Sequence, residues 1–120
     1  MMENNDWRLP TIKELFTLVN YKKHSPTSDV EDTRSDYYWS SSPDVFAAGY
    51  VWTIYFNDGN GSTDYKSNKY YVRCVRDGKF GLEWAKSTDT GYTHDKAIEY
   101  AKTLDTEVYY KAENNDTRIS

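Results

Sequence analysis

A chain of 120 residues fits one domain with an ordinary core, yet 17% of it is aromatic, with twelve Tyr and four Trp, so rings supply much of the apolar surface. The formal charge of −4 argues against nucleic acid as the main partner. No apolar run reaches membrane-spanning length, and a single cysteine excludes both an internal disulfide and a cysteine-rich zinc site.

Met1 to Asp6 has neither the basic start nor the apolar stretch of a signal peptide, so no export by this N-terminus is expected. Trp7-Arg8-Leu9-Pro10 leads into a predicted helix over 11–20. Thr11 and Glu14 form a capping box, and Ile12, Leu15, Phe16 and Val19 recur on one face. Residues 24–36 read as a long polar loop, and Tyr37-Tyr38-Trp39-Ser40-Ser41 as a strand ended by a turn at Ser42-Pro43-Asp44. From 50 to 56 the chain alternates, with Tyr50, Trp52, Ile54 and Phe56 on one face and Val51, Thr53 and Tyr55 on the other. Residues 57–69 read as a second loop.

The centre of the chain is Tyr70 to Trp84. Asp77-Gly78 predicts a two-residue type I′ turn, pairing 70–76 with 79–85 antiparallel. Val72 and Cys74 share one face, Arg73 and Val75 the other, and Phe80, Leu82 and Trp84 make an apolar stripe. A second helix runs from Thr93 to Leu104 with Ala97, Ile98, Ala101 and Leu104 inward, and is expected beside the first. Residues 105–120 read as a polar tail. Trp7, Leu15, Trp39, Trp52, Val72, Cys74, Leu82 and Trp84 are the predicted core, and Trp52→Ala is expected to cost about 3–5 kcal/mol.

No constellation of catalytic residues stands out. Ser40, Ser41 and Ser42 lack a nucleophile elbow, Cys74 lies mid-strand, and His24 and His94 read as surface residues. Asp58, Asn60 and Asp64 alternate oxygen ligands, but Thr63 stands where a calcium loop needs Gly and Lys69 where it needs Glu. Turn chemistry accounts for the same residue types, so no metal and no cofactor is assigned. The candidate ligand surface is the pair of loops around 40–50 and 57–69, with Tyr50, Tyr65, Lys66, Asn68 and Lys69. Tyr offers a flat apolar face to a sugar ring, Lys a charge, and Asn both a donor and an acceptor.

Four stretches in order, Trp7 to Leu15, Tyr38 to Ser42, Trp52 to Gly59 and Tyr71 to Arg76, closely resemble the Lcl C-terminal domain family. That resemblance implies an α+β, C-type-lectin-like fold, with two helices on a small twisted antiparallel sheet and long loops. It also implies a bacterial, usually exported, non-enzymatic adhesion module of the kind that binds sulfated polysaccharides. The segment 79–104, with Gly81-Leu82-Glu83-Trp84 and Ala97 to Leu104, resembles the family's N-terminal half, so the resemblance implies one domain over 1–104 in permuted order, either as a true permutation or as a window across two tandem copies. In the family a cysteine at the position of Ala101 is expected to bridge to that of Cys74; here the bridge cannot form. The calcium-dependent sugar motif of animal lectins is absent. A protein-binding or assembly module, or a truncated copy without activity, are the alternatives. A glycan or surface protein is the expected ligand, and a compact monomer is expected over a swapped dimer.

Overall fold

A computed structural model describes residues 6–112. In chain order these form α1 (Ile12–Phe16), β1 (Tyr37–Pro43), β2 (Tyr50–Tyr55), β3 (Asn60–Tyr65), β4 (Val75–Asp77), β5 (Leu82–Trp84), α2 (His94–Thr103) and β6 (Tyr110–Lys111). The architecture is α+β with little helix. Two antiparallel three-stranded sheets, ordered β1-β2-β3 and β4-β5-β6, make up the strand content.

The central segment behaves as the alternation demands, although its turn does not. The loop between β4 and β5 is 78–81, closed by the Gly78 N–H donating to the Gly81 carbonyl at 2.8 Å, and Val75 pairs with Trp84. A turn confined to Asp77-Gly78 would have placed Trp84 four residues further back along the first arm. The shift is even, so every side chain keeps its face. Beyond β4 the two arms stay together, through Ala85 N–H to Cys74 O at 3.0 Å, Thr88 N–H to Val72 O at 2.9 Å, and the Tyr70–Tyr92 bridge. The pairing slips outward along the way, with extra residues taken up on the second arm.

Each face of this ribbon carries a core. On one face Val72, Cys74 and Ala85 pack with Trp7, Leu9, Trp39, Val51 and the α2 residues Ala97 and Ala101. On the other, Val75 and Trp84 pack with Leu15 of α1, Leu18, Val30, Tyr38, Ile54 and Phe56. The helices therefore cover opposite faces rather than lying side by side. Helix α2 has the predicted extent, with Thr93 as N-cap accepting from Lys96 N–H. Helix α1 has the predicted capping box but stops at Phe16, not near residue 20. The chain tightens there through i→i−3 bonds, and the Asn20 N–H then donates to Thr27 O at 2.7 Å, bringing Val19 opposite Ser28 in an antiparallel bridge that takes this segment out of a helix.

Four further expectations are corrected. Strand β1 runs through Pro43, so the turn lies at 44–49. Residues 60–65, read as loop, form β3, because Asn60 to Tyr65 match Tyr55 to Tyr50 in an unbroken register. Tyr110 and Lys111, read as tail, pair with Trp84 and Glu83; residues 113–120 of that tail lie outside the described residues, as do residues 1–5. Among the predicted core residues, Trp7, Leu15, Trp39, Val72, Cys74 and Trp84 are buried and Leu82 is half-buried; Phe80, expected on the same apolar stripe as Leu82 and Trp84, is exposed. Trp52 is 36% exposed, because α1 covers only the Ile54–Phe56 end of its face.

Candidate ligand-binding face

Strands β2 and β3 form a hairpin whose outer face is lined with rings. Direct partners share a face, so Tyr50/Tyr65, Trp52/Thr63 and Ile54/Gly61 succeed one another along it. Tyr50 and Tyr65 meet edge to face at 5.5 Å between centroids. The two glycines of the far end are seats for rings from the N-terminal segment. A Cβ on Gly61 would lie 2.9 Å from Phe16 Cζ, and one on Gly59 would lie 2.7 Å from Tyr21 Cε1. Gly59 also adopts φ +82°, and its carbonyl accepts from the Tyr21 hydroxyl at 3.1 Å. Tyr21, Phe16, Trp52, Tyr50 and Tyr65 thus form a row, and all five are exposed. At about 3.4 Å per residue, the hairpin gives that row a length of roughly 20 Å.

The predicted ligand residues are partly brought together. Tyr50, Tyr65 and Lys66 meet at one end of the row. There Tyr65, Lys66, Gly49, Ser67, Thr93 and Asp95 line a cavity of about 320 Å³. The segment is tied to α2 through the His94 N–H, which donates to Lys66 O at 3.0 Å. Asn68 turns away, donating through Nδ2 to the Tyr70 hydroxyl at 3.2 Å, and exposed Lys69 lies where the chain enters the Tyr70–Tyr92 bridge. Trp52, Phe16 and Tyr21 were not foreseen as part of this surface. The signal for Trp52 was the polar Thr63 opposite it, which became readable only once β3 was known to be a strand.

The suggested cation residues are not assembled. The Asp58 carboxylate accepts from Asn60 N–H at 3.0 Å within the turn. Asp64, at the other end of β3, accepts from Thr53 Oγ1 at 2.9 Å and Ser62 Oγ at 3.2 Å. Among the described residues no group of three or more His, Cys, Asp or Glu side chains is placed to hold a metal ion.

The groups with chemical potential are occupied structurally. Burial pushes the Cys74 thiol up to about 12, which keeps it protonated. Burial, with Asp64 beside it, likewise pushes the Tyr70 phenol up to about 12. Ser40 Oγ donates to Trp52 O at 2.7 Å, and Ser42 Oγ accepts the first-turn N–H of Ile12 at 2.9 Å. His94, predicted to be exposed, is buried edge-on against Trp39. Its Nε2 lies 2.9 Å from the Ser40 carbonyl, which can only accept, so the neutral ring carries its proton there and Nδ1 has no partner. Burial holds its pKa below the ordinary value. His24 is exposed, as predicted.

A small α+β domain of two short antiparallel sheets, with an exposed aromatic row and its reactive side chains committed to the fold, is the class defined by these features. Residues 1–76 match the Lcl C-terminal domain, and the chain belongs to that family. No curated protein and no solved structure matches it. No helix among the described residues is long and apolar enough to cross a membrane.

The family's motifs can be followed residue by residue. Arg8 makes a two-pronged pair with Glu14 at 2.8 and 2.9 Å and also reaches Asp77 at 3.3 Å. Its backbone exchanges bonds with Val75 at 3.0 and 2.9 Å, joining the N-terminal segment to the central ribbon. Arg76 stacks over Trp7 at 4.4 Å and bonds Glu83 at 2.9 Å.

Proposed function

We propose that the domain is a non-enzymatic binding module that takes a carbohydrate chain along the row Tyr21, Phe16, Trp52, Tyr50 and Tyr65. The observation that carries this reading is the exposure of five rings along one face of the β2–β3 hairpin, three from its strands and two from the N-terminal segment seated on its glycines. Sugar rings present flat C–H faces that stack on such rings, and a pre-ordered row spends little conformational entropy on binding. Lys66, beside the cavity at one end, supplies a charge for an acidic substituent. The reading includes a C-type-lectin-like fold with the family's halves in permuted order. Its support is that Cys74, from the matched half, and Ala101, from the other, pack in one core.

A protein ligand is the second reading, favoured by Val45 and Phe46. They stand 81% and 96% exposed on the 44–49 turn that leads into Tyr50. A glycan array with polyanion competition separates the two, since a protein binder ignores both. For the carbohydrate reading, Trp52→Ala weakens glycan binding about tenfold or more while the far-ultraviolet circular dichroism spectrum is retained. Binding left unchanged both by Trp52→Ala and by Tyr65→Ala with Lys66→Ala overturns it.

A further inference from the structure

Strand β3 is the open edge of its sheet. The opposite edge, β1, is occupied: Trp39 N–H donates to Tyr71 O, Tyr71 N–H to Tyr37 O, and Ser41 N–H to Pro10 O, at 2.7–3.1 Å. On β3 the bond from Lys66 N–H to Gly49 O fixes the alternation. Residues 60, 62 and 64 face the β2 ladder, and Gly61 and Thr63 turn their N–H and C=O groups outward. Among the described residues those four groups have no partner. Exposed edges are ordinarily protected by proline, lysine, a bulge or a charge pointing along the edge. Asn60-Gly61-Ser62-Thr63-Asp64-Tyr65 has no proline, no lysine and no break in register. Its one charge, Asp64, is drawn onto the sheet face by Thr53 and Ser62.

We propose that this edge pairs with the same edge of a second copy, antiparallel about a two-fold axis at Ser62, to give a continuous six-stranded sheet. The register follows from the outward groups. Gly61 must exchange both bonds with Thr63 of the second copy, and Thr63 with its Gly61, which sets Ser62 against Ser62. That register is self-complementary in charge. It puts the Asn60 amide opposite the Asp64 carboxylate of the second copy, twice, and keeps the two carboxylates apart. On the other face, Thr63 of the second copy comes beside Gly61, next to the Phe16 ring seated over it. No element is exchanged, because each copy already closes its own two cores. The aromatic rows of the two copies then lie on one side of a single sheet, offering a long ligand two sites.

The test is cross-linking together with mass measurement of the full chain. Ser62→Cys places two thiols opposite each other in a non-hydrogen-bonded pair, about 4.5 Å between Cα atoms, within the separation a disulfide spans. Mild oxidation is expected to give a covalent dimer quickly, and buried Cys74 does not compete. Asn60→Cys, whose symmetry mates are several residues apart along the strand, is expected to stay monomeric. Thr63→Pro removes one outward N–H per copy, leaves the β2 ladder intact, and is expected to weaken dimerisation about ten- to hundred-fold in sedimentation equilibrium. A parent chain monomeric at every concentration, with no Ser62→Cys dimer, overturns the proposal and leaves the edge for a foreign strand. Equal cross-linking of Asn60→Cys and Ser62→Cys overturns the register, and a dimer unaffected by Thr63→Pro overturns the edge.

Discussion

Arg73 is the least expected member of the interior, 1% exposed in the middle of the central ribbon. Its guanidinium donates to Asp32 Oδ1 at 2.5 Å, to Thr33 Oγ1 at 2.9 Å and to the Ala85 carbonyl at 2.9 Å. The second Asp32 oxygen accepts from Ser87 N–H at 2.8 Å, so one ion pair pins the long 24–36 loop to both arms of the ribbon. The two partners differ in exposure, since the Asp32 side chain keeps 22% of its surface in contact with water. Removing Asp32 strands a buried cation, whereas removing Arg73 strands a carboxylate that water can reach. Breaking a buried pair from one side costs about 3–5 kcal/mol, and the partial hydration here places Asp32→Ala near 3. Arg73→Met, which retains most of the volume without the charge, is expected to cost about 1–2 kcal/mol. The double variant should cost less than the sum, by at least about 1 kcal/mol. Urea unfolding measures all four chains; for this length, 3 kcal/mol corresponds to a melting temperature lower by about 12 °C. Additive losses, or a larger loss for Arg73→Met than for Asp32→Ala, would refute the claim that an uncompensated buried cation dominates.

Two other outcomes follow from the cores. Ala101→Cys is expected to form a disulfide with Cys74, since both side chains lie in one buried cluster. A loop of about 27 residues makes that bond worth about 3–4 kcal/mol in the chain-entropy treatment. Mass spectrometry after oxidation checks it, and a variant retaining two free thiols would separate the two positions. His94 is held neutral by burial, its pKa below the ordinary 6.5. The unfolded chain therefore binds the extra proton first, and this contribution to stability is full above about pH 6.5 and is lost as pH falls through the lowered folded value. Denaturant midpoints from pH 8 to 4 should decline less steeply for His94→Gln; an identical slope would show that His94 carries its proton into the folded state.

The faces of the central ribbon, the capping box of α1, the extent of α2 and most of the core could be read in the sequence, because each depends on alternation or spacing within a few residues. What could not be read depends on what lies opposite. Trp52 alternates with Tyr50, Ile54 and Phe56 as a buried residue would, and only the short reach of α1 leaves it exposed. Asn60 to Tyr65 has the composition of a loop, with Gly61, Ser62 and Asp64 poor strand formers. It becomes a strand because β2 offers it six partners in register. His94 looked like a polar helix start and is buried because β1 brings Ser40 and Trp39 against it. Of the candidate ligand residues, Tyr50, Tyr65 and Lys66 stand together at one end of the exposed aromatic row. The other end is formed by Phe16 and Tyr21 from a distant segment, which no local pattern in the sequence connects to it.

The family match over residues 1–76 spans the proposed binding face as well as the four motif stretches, yet the two draw on largely different side chains. Arg8 and Glu14 join the N-terminal segment to α1, Ser40 and Ser42 hold the β1 bulge and the start of α1, and Arg73, Cys74 and Arg76 fix the ribbon. Each of these motif residues is explained by a contact within the fold. Of the aromatic row, only Trp52 belongs to a motif stretch; Phe16, Tyr21, Tyr50 and Tyr65 lie outside all four. Their positions require only small residues beneath the rings at 59 and 61 and a β2–β3 hairpin to carry them. A scaffold held by its own ion pairs and cores tolerates exchange of such rings at little cost in stability. If the row binds a ligand as proposed, its preference can be altered through these rings without disturbing the contacts that hold the fold.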